Sequence, residues 1–145
     1  SMLKEVKIPN SVTAIQSRAF TDCVSLKTAV LPIGLSVVSN SLFLKCTELS
    51  SVNIPKSVTT IEYSAFYMCK GLKEITIPDK VTTIGKGAFY GSGLTNVTIG
   101  SGIEEIEATA FGGTKDLTTI TIKKSTDSIE NAPWGATNAE IIWEE

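Results

Sequence analysis

The sequence contains no histidine. That removes the side chain most often used as a general base and as a metal ligand near neutral pH. It also has no cluster of basic residues; 13 lysines and arginines against 15 acidic residues give a formal net charge of −2 and a pI near 5.2. Nucleic acid and anionic membrane surfaces are therefore poor partners on charge grounds. The longest apolar run is only a few residues, far short of the ~20 that span a bilayer, so no membrane insertion is expected. No charged-then-apolar leader is read in this chain. Ser1-Met2 reads as the remnant of a cleaved expression tag, with the natural N-terminus lying further upstream.

What the sequence does contain is repetition. The chain of 145 residues is 42% hydrophobic and 19% charged, which is the balance of one globular domain. Leu3, Leu26, Leu49, Leu72, Leu94 and Leu117 are spaced by 23, 23, 23, 22 and 23 residues. Phe20, Phe43, Phe66, Phe89 and Phe111 keep the same steps, and Trp134 takes the sixth place. Ile15, Val38, Ile61, Ile84, Ile106 and Ile129 form a third ladder, and Ile8, Leu31, Ile54, Ile77, Ile99 and Ile122 a fourth. Pro9, Pro32, Pro55 and Pro78 follow the first four members of that last ladder.

A unit of 22–23 residues cannot bury a core alone, but stacked units can, because each apolar face meets its neighbour's. Alternation over Leu72-Lys73-Glu74-Ile75-Thr76-Ile77 predicts a short strand with Ile75 and Ile77 inward and Glu74 and Thr76 outward. Pro78, lacking an N–H, ends the pairing. Val81-Thr82-Thr83-Ile84 reads as a second short extended piece, and Ala88-Phe89 to Ser92 as one helical or 3₁₀ turn leading back to the next strand. Successive strands would pair in parallel, giving a rod of roughly 29 Å for six coils. The expectation is an α/β repeat: a short solenoid of about six coils over residues 3–138, with a parallel sheet on one face, turns or short 3₁₀ or helical segments on the other, and a capping strand over 139–145.

The unit Leu-x-x-Ile-x-Ile-Pro-x-x-Val-Thr-x-Ile-x-x-x-Ala-Phe-x-x-Cys resembles the BspA-like leucine-rich repeat, and the resemblance covers nearly the whole chain. It implies a curved leucine-rich-repeat solenoid of a kind found in bacterial surface and secreted proteins. It implies an extracellular or cell-surface location and an adhesin or interaction role, with no shared catalytic motif and no cofactor. The sixth coil departs from the pattern, with Lys123 in place of the proline and Pro133-Trp134 in place of Ala-Phe.

Several apparent motifs have plainer readings. Cys23, Cys46 and Cys69 share one repeat position, which Ser92 and Thr114 fill later, so they read as small inward side chains and free thiols rather than metal ligands. Disulfides between them are disfavoured, because ladder side chains one coil apart sit farther apart than the ~3.8 Å that Cβ atoms prefer across a bridge. Glu104, Glu105 and Glu107 cluster in the fifth coil, as a solvated acidic face or a site for a cation or basic partner. Gly85-Lys86-Gly87 lacks the spacing of a phosphate loop and aligns with Glu62-Tyr63-Ser64, an ordinary turn. Asn96-Val97-Thr98 is formally a glycosylation sequon, placed in a predicted strand.

Two surfaces remain as candidate binding faces for a protein or glycan ligand. Outward strand positions form a polar stripe that includes Lys7, Val30, Asn53, Glu74, Thr76, Asn96, Thr98 and Thr121; its bland reading is a set of good strand formers on a solvated sheet. The stripe lacks tryptophan and arginine, the usual anchors of tight interfaces. Leu44, Tyr67 and Tyr90, with Tyr63 nearby, follow the phenylalanine ladder and make either lids over it or an amphipathic contact patch. The reading is a non-enzymatic interaction module from a larger surface or secreted protein; the alternative is a structural spacer presenting another domain. Val6, Ile8, Val12, Ile15 and Phe20 of the first coil face an expected open end, which predicts self-association there.

Overall fold

A computed structural model describes residues 2–125 and 129–145 of the chain. The first strand of each coil lies on what is here called the front: β1 (Glu5–Lys7), β2 (Thr28–Val30), β4 (Ser51–Val52), β6 (Glu74–Ile77), β8 (Asn96–Ile99) and β10 (Thr119–Ile122). A second short strand follows in four coils: β3 (Val37–Val38), β5 (Thr60–Ile61), β7 (Thr83–Ile84) and β9 (Glu105–Ile106). The last strand, β11 (Glu140–Trp143), pairs in parallel with β10, Thr119 opposite Glu140. All pairings are parallel and in register from coil to coil, as in Thr76 opposite Thr98 opposite Thr121.

Local chemistry sets each segment. On the front, β-branched residues alternate and every second side chain turns inward: in β6, Ile75 and Ile77 are buried while Glu74 and Thr76 are exposed. Each proline then begins a tight turn, its carbonyl accepting from the N–H three residues on: Val12 to Pro9 at 3.0 Å, Leu35 to Pro32 at 3.1 Å, Val58 to Pro55 at 3.1 Å and Val81 to Pro78 at 3.2 Å. The piece beyond the turn is a full second sheet of four strands, β3-β5-β7-β9. The solenoid thus carries parallel sheet on two sides, where the sequence suggested one.

The third side corrects a further expectation. Among the described residues there is no helix, and the segments around Ala65-Phe66 and Ala88-Phe89 are stacked turns. Two positions four residues apart hold left-handed backbone in each of the first four coils: Arg18 and Asp22, Ser41 and Lys45, Ser64 and Met68, Gly87 and Gly91, with φ between 54° and 67°. A helix needs every residue in the right-handed well, so these positions end it before it starts. Alternate N–H groups then point different ways. Leu42, Leu44 and Cys46 donate three residues back within their own coil, while Ser41, Phe43 and Lys45 donate to the carbonyls of Tyr63, Ala65 and Tyr67 in the next coil at 2.8–2.9 Å.

The core runs along the axis as ladders. Phe43, Phe66, Phe89 and Phe111 are fully buried, and successive rings from Phe20 to Phe111 stack with centroids 5.2–5.6 Å apart. Trp134 closes the column, fully buried, its Nε1 donating to the Glu130 carbonyl at 2.7 Å. At the other end Val6, Ile8, Ile15 and Phe20 are only half-buried.

The single 22-residue step has a local cause. Coil four returns to the front through Ser92-Gly93-Leu94, one residue shorter than Cys69-Lys70-Gly71-Leu72. The shorter path presses Gly93 against the preceding coil, where a Cβ would lie 2.0 Å from the Lys70 carbonyl oxygen. Only glycine fits that approach.

Candidate functional site

The front side is not continuous. Its strands form a three-stranded sheet, β1-β2-β4, and a four-stranded sheet, β6-β8-β10-β11, with no pairing between β4 and β6. The same two coils stay joined on the other sides, through Thr60 opposite Thr83 and through Phe66 N–H to the Ala88 carbonyl at 2.7 Å. The break begins in the sequence of coil three. Asn53 is poorly suited to a strand, and β4 is only two residues long. Asn53 then replaces its backbone carbonyl with its side chain, Oδ1 accepting from the Leu31 N–H at 3.0 Å.

A groove of about 780 Å³ opens at this break. Its floor contains Ile54, just past β4, and Ile75 of β6, inward side chains at 9% and 6% exposure where Leu31, Ile77 and Val97 have 1%. Asn53, Glu74, Thr76 and Thr98 line it, so four residues of the expected stripe meet there. Lys56, Lys80 and Lys123 line the end beyond Pro78, beside Asp79, whose Oδ1 accepts from the Ser101 N–H at 3.0 Å.

The rest of the stripe lies outside the groove. Lys7 and Val30 are exposed on β1 and β2, in register with each other. Asn96 is exposed, its side-chain nitrogen donating to Thr95 Oγ1 at 3.3 Å, and Thr121 is half-buried beside Thr98. The expected single stripe is therefore two in-register halves that face each other across a groove. Sequence reasoning missed Lys56, Lys80, Lys123 and the groove itself. A signal was present in the asparagine where other coils carry valine, threonine or lysine.

The tyrosine surface is separate. Tyr67 and Tyr90 stack on each other with centroids 5.2 Å apart and planes 10° from parallel. Leu44 and Tyr67 are half-buried, whereas Tyr63 and Tyr90 are 53% and 37% exposed. The Tyr90 ring lies over the next coil where Gly112 and Gly113 leave room; a Cβ on Gly112 would come within 2.8 Å of it.

The remaining candidates lie elsewhere on the coils. Cys23, Cys46 and Cys69 are buried free thiols. Cys46 Sγ donates to the Phe20 carbonyl at 3.0 Å and Cys69 Sγ to that of Phe43 at 3.1 Å. Burial pushes the Cys46 thiol from 9.0 up to about 12 and raises Cys69 further, which keeps both protonated and unreactive. Gly85-Lys86-Gly87 is a back turn, with Gly87 at the left-handed position that Ser64 fills one coil earlier. Glu104 and Glu105 are exposed, Glu105 on β9, and among the described residues no group of three or more acidic or cysteine side chains is arranged to hold a metal. Among the described residues no helix is long and apolar enough to cross a membrane.

Comparison with known proteins agrees with this architecture. The model of the BspA type leucine rich repeat region matches residues 1–90 and 59–142, with 6 copies. No curated protein matches the sequence. A leucine-rich repeat protein from Bacteroides ovatus is similar in structure, with a TM-score of 0.84 and 28% identity over 98% of this chain and 38% of that one. The leucine-rich repeat protein of T. pallidum has a TM-score of 0.86 at 24% identity, covering 100% of this chain and 71% of that one. The pneumococcal vaccine antigen PcpA has a TM-score of 0.78 at 26% identity, covering 98% of this chain and 42% of that one. The chain thus spans less than half the length of two of these three proteins. Six coils of one repeat, matched along nearly the full length, make this chain a member of the BspA-type leucine-rich repeat family.

Proposed function

We propose that the chain is a non-enzymatic, adhesin-like interaction module of a larger surface or secreted protein. The observation that carries this reading is the front side, where an in-register polar stripe leads into a groove lined by Asn53, Glu74, Thr76 and Thr98. Its ligand class is protein or glycan. The vaccine antigen among its structural neighbours supports an extracellular setting. The test is a screen of the labelled chain against glycan and peptide arrays, repeated with Thr76→Arg plus Thr98→Arg and, separately, with Tyr67→Ala. Loss of binding in the first variant is expected. Binding indifferent to both variants removes both faces, and no retained ligand on any array favours the spacer reading.

The half-burial of Val6, Ile8, Ile15 and Phe20 supports a second contact, self-association through the first coil. Sedimentation over a wide concentration range tests it; a strictly monomeric species overturns it.

A further inference from the structure

Parallel pairing sends the N–H and C=O of any one residue to the same side of its strand, and successive residues to opposite sides. In this solenoid the outward residues point back to the preceding coil and the inward residues point forward: the Ile8 N–H reaches the Val30 carbonyl at 3.0 Å, and the Gly100 N–H reaches that of Ile77 at 2.8 Å. At the front break, the inward Val52 and Ile54 therefore aim their backbone groups at coil four, and the outward Glu74 and Thr76 aim theirs at coil three. Among the described residues no backbone hydrogen bond joins 50–54 to 73–77. Two unpaired strand edges thus face one groove with an apolar floor at Ile54 and Ile75.

The groove is also charged unequally along its length. Glu74 lies toward the strand start, while Lys56, Lys80 and Lys123 gather beyond the strand ends. Among the described residues none of these three ammonium groups has an ion pair or a hydrogen bond, and all three side chains are exposed. Asp79, the acid beside them, is already engaged by the Ser101 N–H. A chain lying parallel to β6 brings its C-terminal end to the lysines, and a free terminal carboxylate complements them.

We propose that the break is a docking groove for the extended C-terminal tail of a partner polypeptide. The tail pairs in parallel with the Glu74–Thr76 edge and sets its terminal carboxylate among Lys56, Lys80 and Lys123. This is strand addition to an exposed edge, with alternate tail side chains entering the apolar floor. The proposal rests on reading the chain as an interaction module.

The test uses random heptapeptide libraries in two forms, one ending in a free carboxylate and one in a carboxamide. Selection from the carboxylate form is expected, and amidation of a selected peptide should weaken binding at least about tenfold, as loss of a charge-assisted contact does. Lys80→Ala plus Lys123→Ala should weaken it to a similar degree, and the Glu74 and Thr76 amides should exchange more slowly in the complex. Equal selection from both libraries, unchanged exchange at those amides, or no binder from either library overturns the proposal. A ligand from the arrays that is lost in Thr76→Arg plus Thr98→Arg, yet indifferent to both lysine substitutions, also overturns it while leaving the module reading in place.

Discussion

Phe66→Ala tests the axial column at its most constrained point. Phe66 is fully buried and its ring stacks on two others, Phe43 at 5.4 Å and Phe89 at 5.2 Å. Truncating a buried phenylalanine costs about 3–5 kcal/mol through lost transfer energy and the cavity left behind. Two aromatic contacts, worth about 0.5–1.5 kcal/mol each beyond area burial, place this site at the upper end, about 4–5 kcal/mol. Neighbouring coils cannot collapse into the space, because the back turns on either side are held by bonds such as Phe43 N–H to the Ala65 carbonyl at 2.8 Å. Phe20→Ala is the internal comparison. Phe20 is half-buried with a single stacked partner at 5.6 Å, so about 2 kcal/mol is expected. Urea unfolding, followed by tryptophan fluorescence and far-UV circular dichroism together, reads both values. A slope of about 2 kcal/mol/M turns the larger loss into a midpoint shift of about 2 M. Two probes matter because a solenoid broken at its centre can unfold in halves. Glu48→Ala, on an exposed loop, should leave the midpoint unchanged. A Phe66→Ala loss below about 1 kcal/mol, or one no larger than that of Phe20→Ala, refutes the column as the main source of stability.

Other substitutions probe the remaining contacts. The native chain should react slowly with a thiol reagent, and unfolding without reductant should release three reactive thiols; a count of one would reveal a disulfide. Because burial raises the Cys46 thiol from 9.0 to about 12, the unfolded chain loses its protons first as pH rises, so stability should fall above pH 9 by about 1.4 kcal/mol per unit per thiol at most. The slope between pH 9 and 11 should flatten in Cys46→Ala plus Cys69→Ala, and an identical slope contradicts the thiol origin. Glu62→Ala removes the acceptor of the Asn40 N–H, a 3.0 Å bond between coils, and should cost about 1–2 kcal/mol in the same urea assay. Gly93→Ala should cost more than about 2 kcal/mol, since its neighbour is the Lys70 backbone and cannot turn aside; a near-neutral result would show that the short step has slack.

Much of this architecture was legible in the residues. The leucine, phenylalanine and isoleucine ladders fixed the coil length, and the structure stacks them in register because a side chain one repeat away is its own best neighbour. The back of each coil holds the turns expected there without the helical or 3₁₀ alternative that Ala88-Phe89 suggest, because the signal against a helix, a left-handed residue at every fourth position such as Ser64 and Met68, lies in backbone dihedrals rather than polarity. Glu62 looked like part of an ordinary solvated turn; its bond to Asn40 links positions in different coils that no local pattern connects. The break in the front was the hardest to see. The spacing stays at 23 residues straight across it, and the Asn53 side chain that takes the place of a main-chain carbonyl toward coil two leaves that spacing unchanged. Periodicity records where side chains recur, and it says nothing of which carbonyl accepts which proton.

The alternating bonds of the back turns bear on how the molecule carries load. In the first three back turns every second N–H is satisfied by the following coil, as Ser41, Phe43 and Lys45 are by Tyr63, Ala65 and Tyr67. The first coil of such a stack keeps a following partner and the last does not, so under tension a stack of this kind peels from the end that lacks one rather than stretching as a spring. Each coil released should free a length of about 75–80 Å of chain, at about 3.3–3.5 Å per extended residue. Pulled between its termini, the protein should therefore give way in a sawtooth of near-equal teeth, with the interior coils acting as a reserve that dissipates work one repeat at a time.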